Sequence, residues 1–184
     1  MKVIKTKLDG CVIIEPQVFS DERGFFLESF HEERYREKLG IQERFVQDNR
    51  SSSIRGVLRG LHFQKNKPQG KLVTVTKGEV FDVAVDLRPD SPTYGEYESI
   101  VLSDQNKYQF YLPPGFAHGF LVLSEQADFQ YKCTDYYDPS DESGIIWNDE
   151  TLNIEWPTEQ PLISGKDEKQ LSFIEVSKFI RKQE

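Results

Sequence analysis

Short runs in which apolar and polar residues alternate are the main pattern along this chain. Valine occupies alternate positions within 71–77, and Phe81, Val83, Val85 and Leu87 alternate with Asp82 and Asp86. A period of two residues is the signature of a β-strand with one buried face. Lys77-Gly78 lies between the two runs and predicts a tight hairpin turn.

The same pattern predicts further strands and two helices. Strands are predicted at 12–14, 25–30, 45–50, 97–102 and 108–112, and a hairpin at 117–123 and 128–134, with a loop at 51–56. The charged run 31–39 is followed by Gly40, a typical helix C-cap, and the apolar spacing in 171–180 predicts an amphipathic helix. Many short strands and few helices indicate an all-β fold, a sandwich or barrel, forming a single domain over 1–184.

Composition restricts the class of partner. The formal net charge of -8 argues against nucleic acid and anionic membranes as partners. Cys11 and Cys133 form no metal or disulfide spacing, which favours reduced thiols in a cytoplasmic protein. The amino terminus lacks a signal-peptide core, and no apolar run is long enough to span a membrane.

One histidine belongs to a motif that is typical of the cupin jelly roll. The stretch PPGFAH, which ends at His118, fits the P-x-G-x-x-H half of a cupin metal site. The other half requires an H-x-H pair, whereas His62 stands alone between Leu61 and Phe63. We therefore predict a cupin-type jelly-roll β-barrel or sandwich with a few peripheral helices and without a metal site.

The stretch 59–88 places acid, base and cation candidates on neighbouring predicted strands. Arg59, His62 and Lys71 are close in sequence, and Asp82 is expected to face His62 across the predicted hairpin. Such a set can transfer a proton and stabilise the negative charge left behind. Candidate residues can also have a purely structural role: a histidine such as His118 is often hydrogen-bonded in a turn, a tyrosine such as Tyr131 is often packed in the core, and an aspartate such as Asp167 is usually solvent-exposed.

Ordered motifs over nearly the whole chain resemble those of the dTDP-4-dehydrorhamnose 3,5-epimerase family. The matching pieces are DERGFF at 21–26, FVQDN at 45–49, VLRGLHFQ at 57–64, QGKLV at 69–73, FDVAVDLR at 81–88, LPPGFAHGF at 112–120, YKCT at 131–134, YY at 136–137, WND at 147–149 and SGKD at 164–167. Each piece alone is weak, but the ordered set is specific.

The resemblance implies a role for each matching residue. His62 matches the general base, Asp167 its carboxylate partner, Tyr131 the general acid and Lys71 the cation beside the C4 oxygen of the substrate. Positions that contact the substrate, its nucleotide or its diphosphate are matched by Arg23, Phe26, Glu28, Gln47, Asp48, Asn49, Arg59, His118, Tyr137, Glu142 and Lys166.

The resemblance also implies an activity. The family epimerises C3 and C5 of dTDP-4-dehydro-6-deoxy-D-glucose without metal or redox cofactor, giving dTDP-4-dehydro-L-rhamnose for dTDP-L-rhamnose and cell-surface polysaccharide synthesis. It implies a homodimer in which the segment around Arg23 to Glu28 reaches the partner's site. Two alternatives stay open: a single-centre epimerase or ketoisomerase of a related nucleotide sugar, and a non-catalytic sugar-binding cupin.

Overall fold

The computed structural model describes residues 1–180, so the last four residues of the expected domain lie outside the described residues. The thirteen strands are β1 (Lys2–Lys5), β2 (Val12–Glu15), β3 (Val18–Asp21), β4 (Gly24–Leu27), β5 (Gln47–Ile54), β6 (Leu58–Gln64), β7 (Lys71–Lys77), β8 (Glu79–Asp86), β9 (Tyr97–Ser103), β10 (Gln109–Leu112), β11 (Phe116–Val122), β12 (Gln126–Cys133) and β13 (Glu142–Gly144). The helices are α1 (Glu32–Leu39) and α2 (Phe173–Ile180), and a 3₁₀ turn spans Asp167–Lys169.

Two sheets form the body of a double-sheet jelly roll, which confirms the predicted fold class. The six-stranded sheet has the order β1-β2-β10-β7-β12-β5, and the five-stranded sheet has the order β13-β6-β11-β8-β9. Val73, Phe110, Phe120 and Phe129 belong to the apolar cluster formed by residues of both sheets. A separate hairpin, β3–β4, makes a third sheet of two strands.

Each helix is associated with one of the two sheets. Tyr35 of α1 clusters with Ile14 and Leu72 of the six-stranded sheet, whereas α2 packs through Phe173 and Val176 on the cluster of the five-stranded sheet. Both predicted helices are confirmed. Gly40 ends α1 in the left-handed conformation at φ 70°, which a residue without a Cβ adopts at little cost.

The predicted hairpin pairings are wrong. β7 pairs with β10 and β12, while β8 pairs with β11 and β9, so the turn at Gly78 passes from one sheet to the other. β11 and β12 are likewise in different sheets. Alternation identifies which face of a strand is buried, but in a sandwich the apolar faces of consecutive strands can meet across the core instead of pairing edge to edge.

Two strand ends differ from the predictions by more than two residues. The predicted loop at 51–56 is mostly strand, because β5 continues to Ile54 against β12. β5 is a polar strand at the sheet edge and lacks the apolar pattern that would reveal it. The strand predicted at 25–30 ends at Leu27, and Glu28 beyond it forms an ion pair with Arg34.

Candidate active site

A cavity of about 390 Å³ opens between the two sheets. Its border combines cations, amides, aromatic rings and two histidines: Gln47, Asn49, Arg50, Ser51, Arg59, His62, Phe63, Gln64, Gln69, Lys71, His118, Phe120, Phe129, Tyr131, Tyr137 and Glu142. His62 is on β6 of the five-stranded sheet and Tyr131 is on β12 of the six-stranded sheet. The predicted base and acid therefore stand on opposite walls.

A bulge in β6 brings Arg59 and His62 to the same cavity. β11 pairs His118 with His62 but Phe120 with Arg59, so β6 has one more residue than β11 between these pairs. The extra residue changes the alternation and re-aims the side chains. Gly60 is required here, because a Cβ at this position would lie 2.6 Å from the backbone of Gly119.

His62 and Asp167 form a hydrogen-bonded pair. The distance from Nε2 of His62 to Oδ1 of Asp167 is 2.6 Å. Burial opposes ionisation of Asp167, but hydrogen bonds from His62 and the Gly60 N–H prevail and hold the pKa of the carboxyl below its usual value. An ionised carboxylate only accepts, so Nε2 donates the proton and Nδ1 keeps the lone pair of a base. The expectation of a solvent-exposed Asp167 is wrong, since the residue is 3% exposed.

Asp82 pairs with His118 and not with His62. The carboxylate oxygens of Asp82 lie 3.1 and 3.0 Å from Nε2 of His118. Asp82 is fully buried on β8, and His118 is two residues from its register partner Phe120 on β11. The expectation that Asp82 faces His62 is wrong because β8 and β6 are separated by β11.

Lys71 and Tyr131 supply the cation and the phenol. Lys71 lies opposite Cys133 in register, two residues from Tyr131 on β12. Removal from water lowers the pKa of Lys71, an effect that the nearby Asp82 and Glu142 oppose. Burial raises the pKa of Tyr131, so the phenol keeps its proton and can donate it at neutral pH.

The remaining predicted contacts fall into two groups. Gln47, Asn49, Arg59, Tyr137 and Glu142 border the cavity, and the Lys166 ammonium contacts Glu142 at its edge. Arg23, Phe26, Glu28 and Asp48 do not border it. Asp48 is on the outward face of β5, where it pairs with Lys132, because neighbours on a strand point to opposite faces.

Seven bordering residues were not among the predicted site residues. They are Arg50, Ser51, Phe63, Gln64, Gln69, Phe120 and Phe129. Phe129 was detectable, since it alternates with Tyr131 on one face of the strand.

Within residues 1–180 no group of three or more His, Cys, Asp or Glu side chains is arranged to hold a metal ion. No helix in that range is long and apolar enough to cross a membrane.

The fold and the site define a jelly-roll protein whose pocket holds a carboxylate-paired histidine opposite a protonated phenol, with a lysine beside them. This set of side chains is typical of an enzyme that uses general acid–base catalysis. The model of the dTDP-4-dehydrorhamnose 3,5-epimerase family matches residues 5–175. A dTDP-4-dehydrorhamnose 3,5-epimerase from Methanothermobacter thermautotrophicus is 57% identical over 169 residues, 90% of this chain and 91% of that protein.

Structural comparison gives the same family. A Legionella pneumophila dTDP-6-deoxy-D-glucose-3,5-epimerase, solved in complex with dTDP-4-keto-L-rhamnose, superposes with a TM-score of 0.94 at 54% identity, covering 97% of this chain and 96% of that one. A dTDP-4-dehydrorhamnose 3-epimerase from Streptomyces niveus is 42% identical, covering 95% of this chain and 85% of that protein. The chain belongs to the dTDP-4-dehydrorhamnose 3,5-epimerase family and is a carbohydrate epimerase.

Proposed function

We propose that this epimerase inverts C3 and C5 of dTDP-4-dehydro-6-deoxy-D-glucose and so supplies dTDP-4-dehydro-L-rhamnose for dTDP-L-rhamnose synthesis. The observation that carries the proposal is the position of His62 and Tyr131 on opposite sheets of one cavity. Inversion requires a proton to leave one face of a carbon and return to the other, and a base and an acid on opposite walls can do both.

Each step has a residue of suitable chemistry. Nδ1 of His62 takes the proton from the carbon next to the C4 ketone, and Asp167 stabilises the imidazolium that results. The Lys71 ammonium stabilises the enolate oxygen, and the Tyr131 hydroxyl returns a proton on the opposite face. Lys71 and Tyr131 are partly buried, which supports this assignment, because charge stabilisation is stronger away from bulk water.

The nucleotide end of the substrate is proposed to lie at the cavity rim. Gln47 and Asn49 form an amide pair there, joined by a 3.0 Å hydrogen bond. Arg59 and Lys166 provide positive charge for a diphosphate, which is the ligand chemistry that guanidinium and ammonium groups recognise. Tyr137 is 48% exposed and presents a ring for stacking on the base.

A homodimer is proposed to complete the site. The hairpin β3–β4 carries Phe19, Phe25 and Phe26, which are 60%, 59% and 69% exposed, and exposed aromatic side chains of this kind are typical of an interface. Arg23 and Glu28 flank the second strand of this hairpin, so docking of the hairpin on a partner subunit would bring them to the partner's cavity.

Mixed dimers test the shared site. Arg23→Ala and His62→Ala chains are each expected to be weakly active, and dimers reassembled from the two are expected to regain activity because one complete site forms. A monomer in sedimentation, or mixed dimers that stay as inactive as the parents, would contradict the shared site.

Incubation with dTDP-4-dehydro-6-deoxy-D-glucose in deuterated water tests the reaction. Incorporation of two deuterons with both centres inverted is the expected result, and His62→Ala is expected to lower the incorporation rate about 10²–10⁴-fold. A single deuteron would indicate a single-centre epimerase, the activity that the name of the Streptomyces niveus relative carries. Binding without exchange would indicate a non-catalytic sugar-binding protein.

A further inference from the structure

Three side chains meet at one carboxylate oxygen on the rim of the cavity. The Tyr137 hydroxyl donates to Oε2 of Glu142 at 2.6 Å, and the Lys166 ammonium contacts the same oxygen. We call Tyr137, Glu142 and Lys166 the rim cluster. The cluster joins the loop before β13 to the segment that precedes the 3₁₀ turn.

The charges of the rim cluster are well defined at neutral pH. Burial disfavours ionisation of Glu142, but the hydrogen bonds from Lys166 and Tyr137 outweigh it and hold the pKa of the carboxyl below its usual value. The hydrogen bond to Glu142 raises the pKa of Tyr137 to about 12. Glu142 is therefore an anion that accepts from a neutral phenol and a cationic ammonium.

The residue after Lys166 is the partner of the base. Asp167 begins the 3₁₀ turn Asp167–Lys169, of which Lys166 is the N-cap. The backbone N–H of Asp167 donates to the Ser164 hydroxyl at 3.1 Å, which tightens the turn further. The turn is thus fixed at two adjacent residues, through Lys166 to Glu142 and through Asp167 to His62.

The anchors of the turn also lie close together on the sheet. Glu142 pairs with Gln64, and Gly144 pairs with His62, so Glu142 and His62 are two register positions apart on adjacent strands. Lys166 and Asp167 are joined by one peptide unit, so a shift of the Lys166 backbone that follows its ammonium would also move Asp167. Such a short turn has little freedom to absorb the change.

A diphosphate at the rim would compete with Glu142 for the Lys166 ammonium. The Lys166 side chain is 59% exposed, whereas the Glu142 side chain is 12% exposed, so the lysine is the more accessible of the two to an incoming anion. A diphosphate carries more negative charge than one carboxylate and offers more acceptor oxygens.

We propose that the rim cluster couples occupancy by the nucleotide diphosphate to the placement of Asp167, which makes Lys166 a positioning residue for the base His62. This inference rests on the proposed function. The inference adds that the diphosphate, although remote from the reacting carbons, raises the rate of proton abstraction as well as the affinity for the substrate.

The test compares two lysines of the same segment. Lys166→Met removes the ammonium that contacts Glu142. Lys169→Met is the matched control, because within residues 1–180 the exposed Lys169 side chain makes no ion pair or hydrogen bond. Lys166→Met is expected to lower kcat about 10- to 100-fold in addition to raising KM, since small misplacements of a catalytic group carry costs of this order. Lys166→Arg is expected to recover part of kcat, and Lys169→Met to leave both constants unchanged.

A magnetic-resonance measurement separates positioning from phosphate contact. The chain has three histidines, so the imidazole N–H signal of His62 can be assigned by its loss in His62→Asn. Saturating dTDP is expected to shift this signal and to slow its exchange with water in the wild type and in Lys169→Met. In Lys166→Met, dTDP at saturation is expected to leave the signal unchanged.

Two outcomes would overturn the inference. One is a Lys166→Met variant with higher KM and unchanged kcat, which would make Lys166 a phosphate contact alone. The other is an equal response of the His62 signal to dTDP in the wild type and in Lys166→Met. Failure of the proposed function gives a different result, because the wild-type protein itself would then show no deuterium incorporation.

Discussion

Asp167→Asn is the most direct test of how the base is prepared. In the wild type, the ionised carboxylate accepts from Nε2 of His62 at 2.6 Å, which leaves the lone pair on Nδ1. An asparagine in this position can donate its own N–H to Nε2 and so stabilise the opposite tautomer, in which Nδ1 carries the proton and cannot accept another.

The magnitude follows from the hydrogen bond that is lost. A hydrogen bond to a charged group contributes about 1.5–3 kcal/mol. Asp167 also stabilises the imidazolium that forms as His62 takes the proton, so the loss is felt in the transition state. Each 1.36 kcal/mol is a factor of ten, and we therefore expect deuterium incorporation to slow roughly 10- to 150-fold.

The assay is single-turnover deuterium incorporation at saturating substrate, with the fold checked by circular dichroism. Asp149→Asn is the matched control: this aspartate is 6% exposed and accepts from the N–H groups of Leu152 and Phe173, away from the cavity. It is expected to lower thermal stability and to leave incorporation unchanged. A folded Asp167→Asn variant that incorporates deuterium within threefold of the wild type would refute the role of Asp167.

Three further predictions concern the acid, metal dependence and stability. Tyr131→Phe is expected to lower the amount of inverted product far more than the rate of proton removal, because His62 and Lys71 still form the enolate. Product stereochemistry and deuterium content are measured in one sample. An equal loss of inverted product and of deuterium incorporation would count against Tyr131 as the acid. Activity is expected to survive exhaustive treatment with a chelator, and recovery of lost activity by an added divalent ion would contradict this. Burial opposes ionisation of Asp86, but hydrogen bonds from Arg88 prevail and lower the pKa of the carboxyl. The ionised Asp86 therefore stabilises the fold fully above the ordinary pKa of about 3.9. This stabilisation is lost as the pH falls through the lower pKa of the folded protein. Asp86→Asn is expected to lower the free energy of unfolding by about 2–3 kcal/mol at neutral pH. The variant is also expected to lose less stability than the wild type on acidification, as measured by urea denaturation at several pH values. A variant that loses as much stability as the wild type would contradict the stabilising role of ionised Asp86.

Strands were predictable from this sequence where one face is buried, and unpredictable where neither face is. β7 and β8 were predictable because valines alternate along both strands. Val73 and Val75 of β7 face the core between the sheets, whereas Val83 and Val85 of β8 face the cluster that includes α2. β5, with the sequence QDNRSSSI, is held by backbone hydrogen bonds to β12 and carries no apolar periodicity. The pairing of strands was not predictable either, because alternation identifies the buried face of a strand and contains no information about which strand lies beside it.

The site residues were predictable from the sequence only where they belong to the ordered family motifs. His62, Lys71 and Tyr131 do border one cavity, although they come from three strands in two sheets. The partner of His62 was invisible to spacing, since Asp167 is 105 residues further along the chain. Proximity in sequence favoured Asp82 instead, and that choice failed because β11 inserts between the two strands.

Two histidine–carboxylate pairs therefore lie side by side, with His62 and His118 in register on adjacent strands. The two imidazole rings lie in different environments. His118 is 7% exposed and stacks on Phe129. Its burial lowers the pKa of the imidazole more than Asp82 raises it, so a proton on this ring would be poorly held. The His62 side chain keeps 29% of its surface exposed, and its Nδ1 is left for the substrate. This difference in exposure and pairing supports the proposal that His62 is the base.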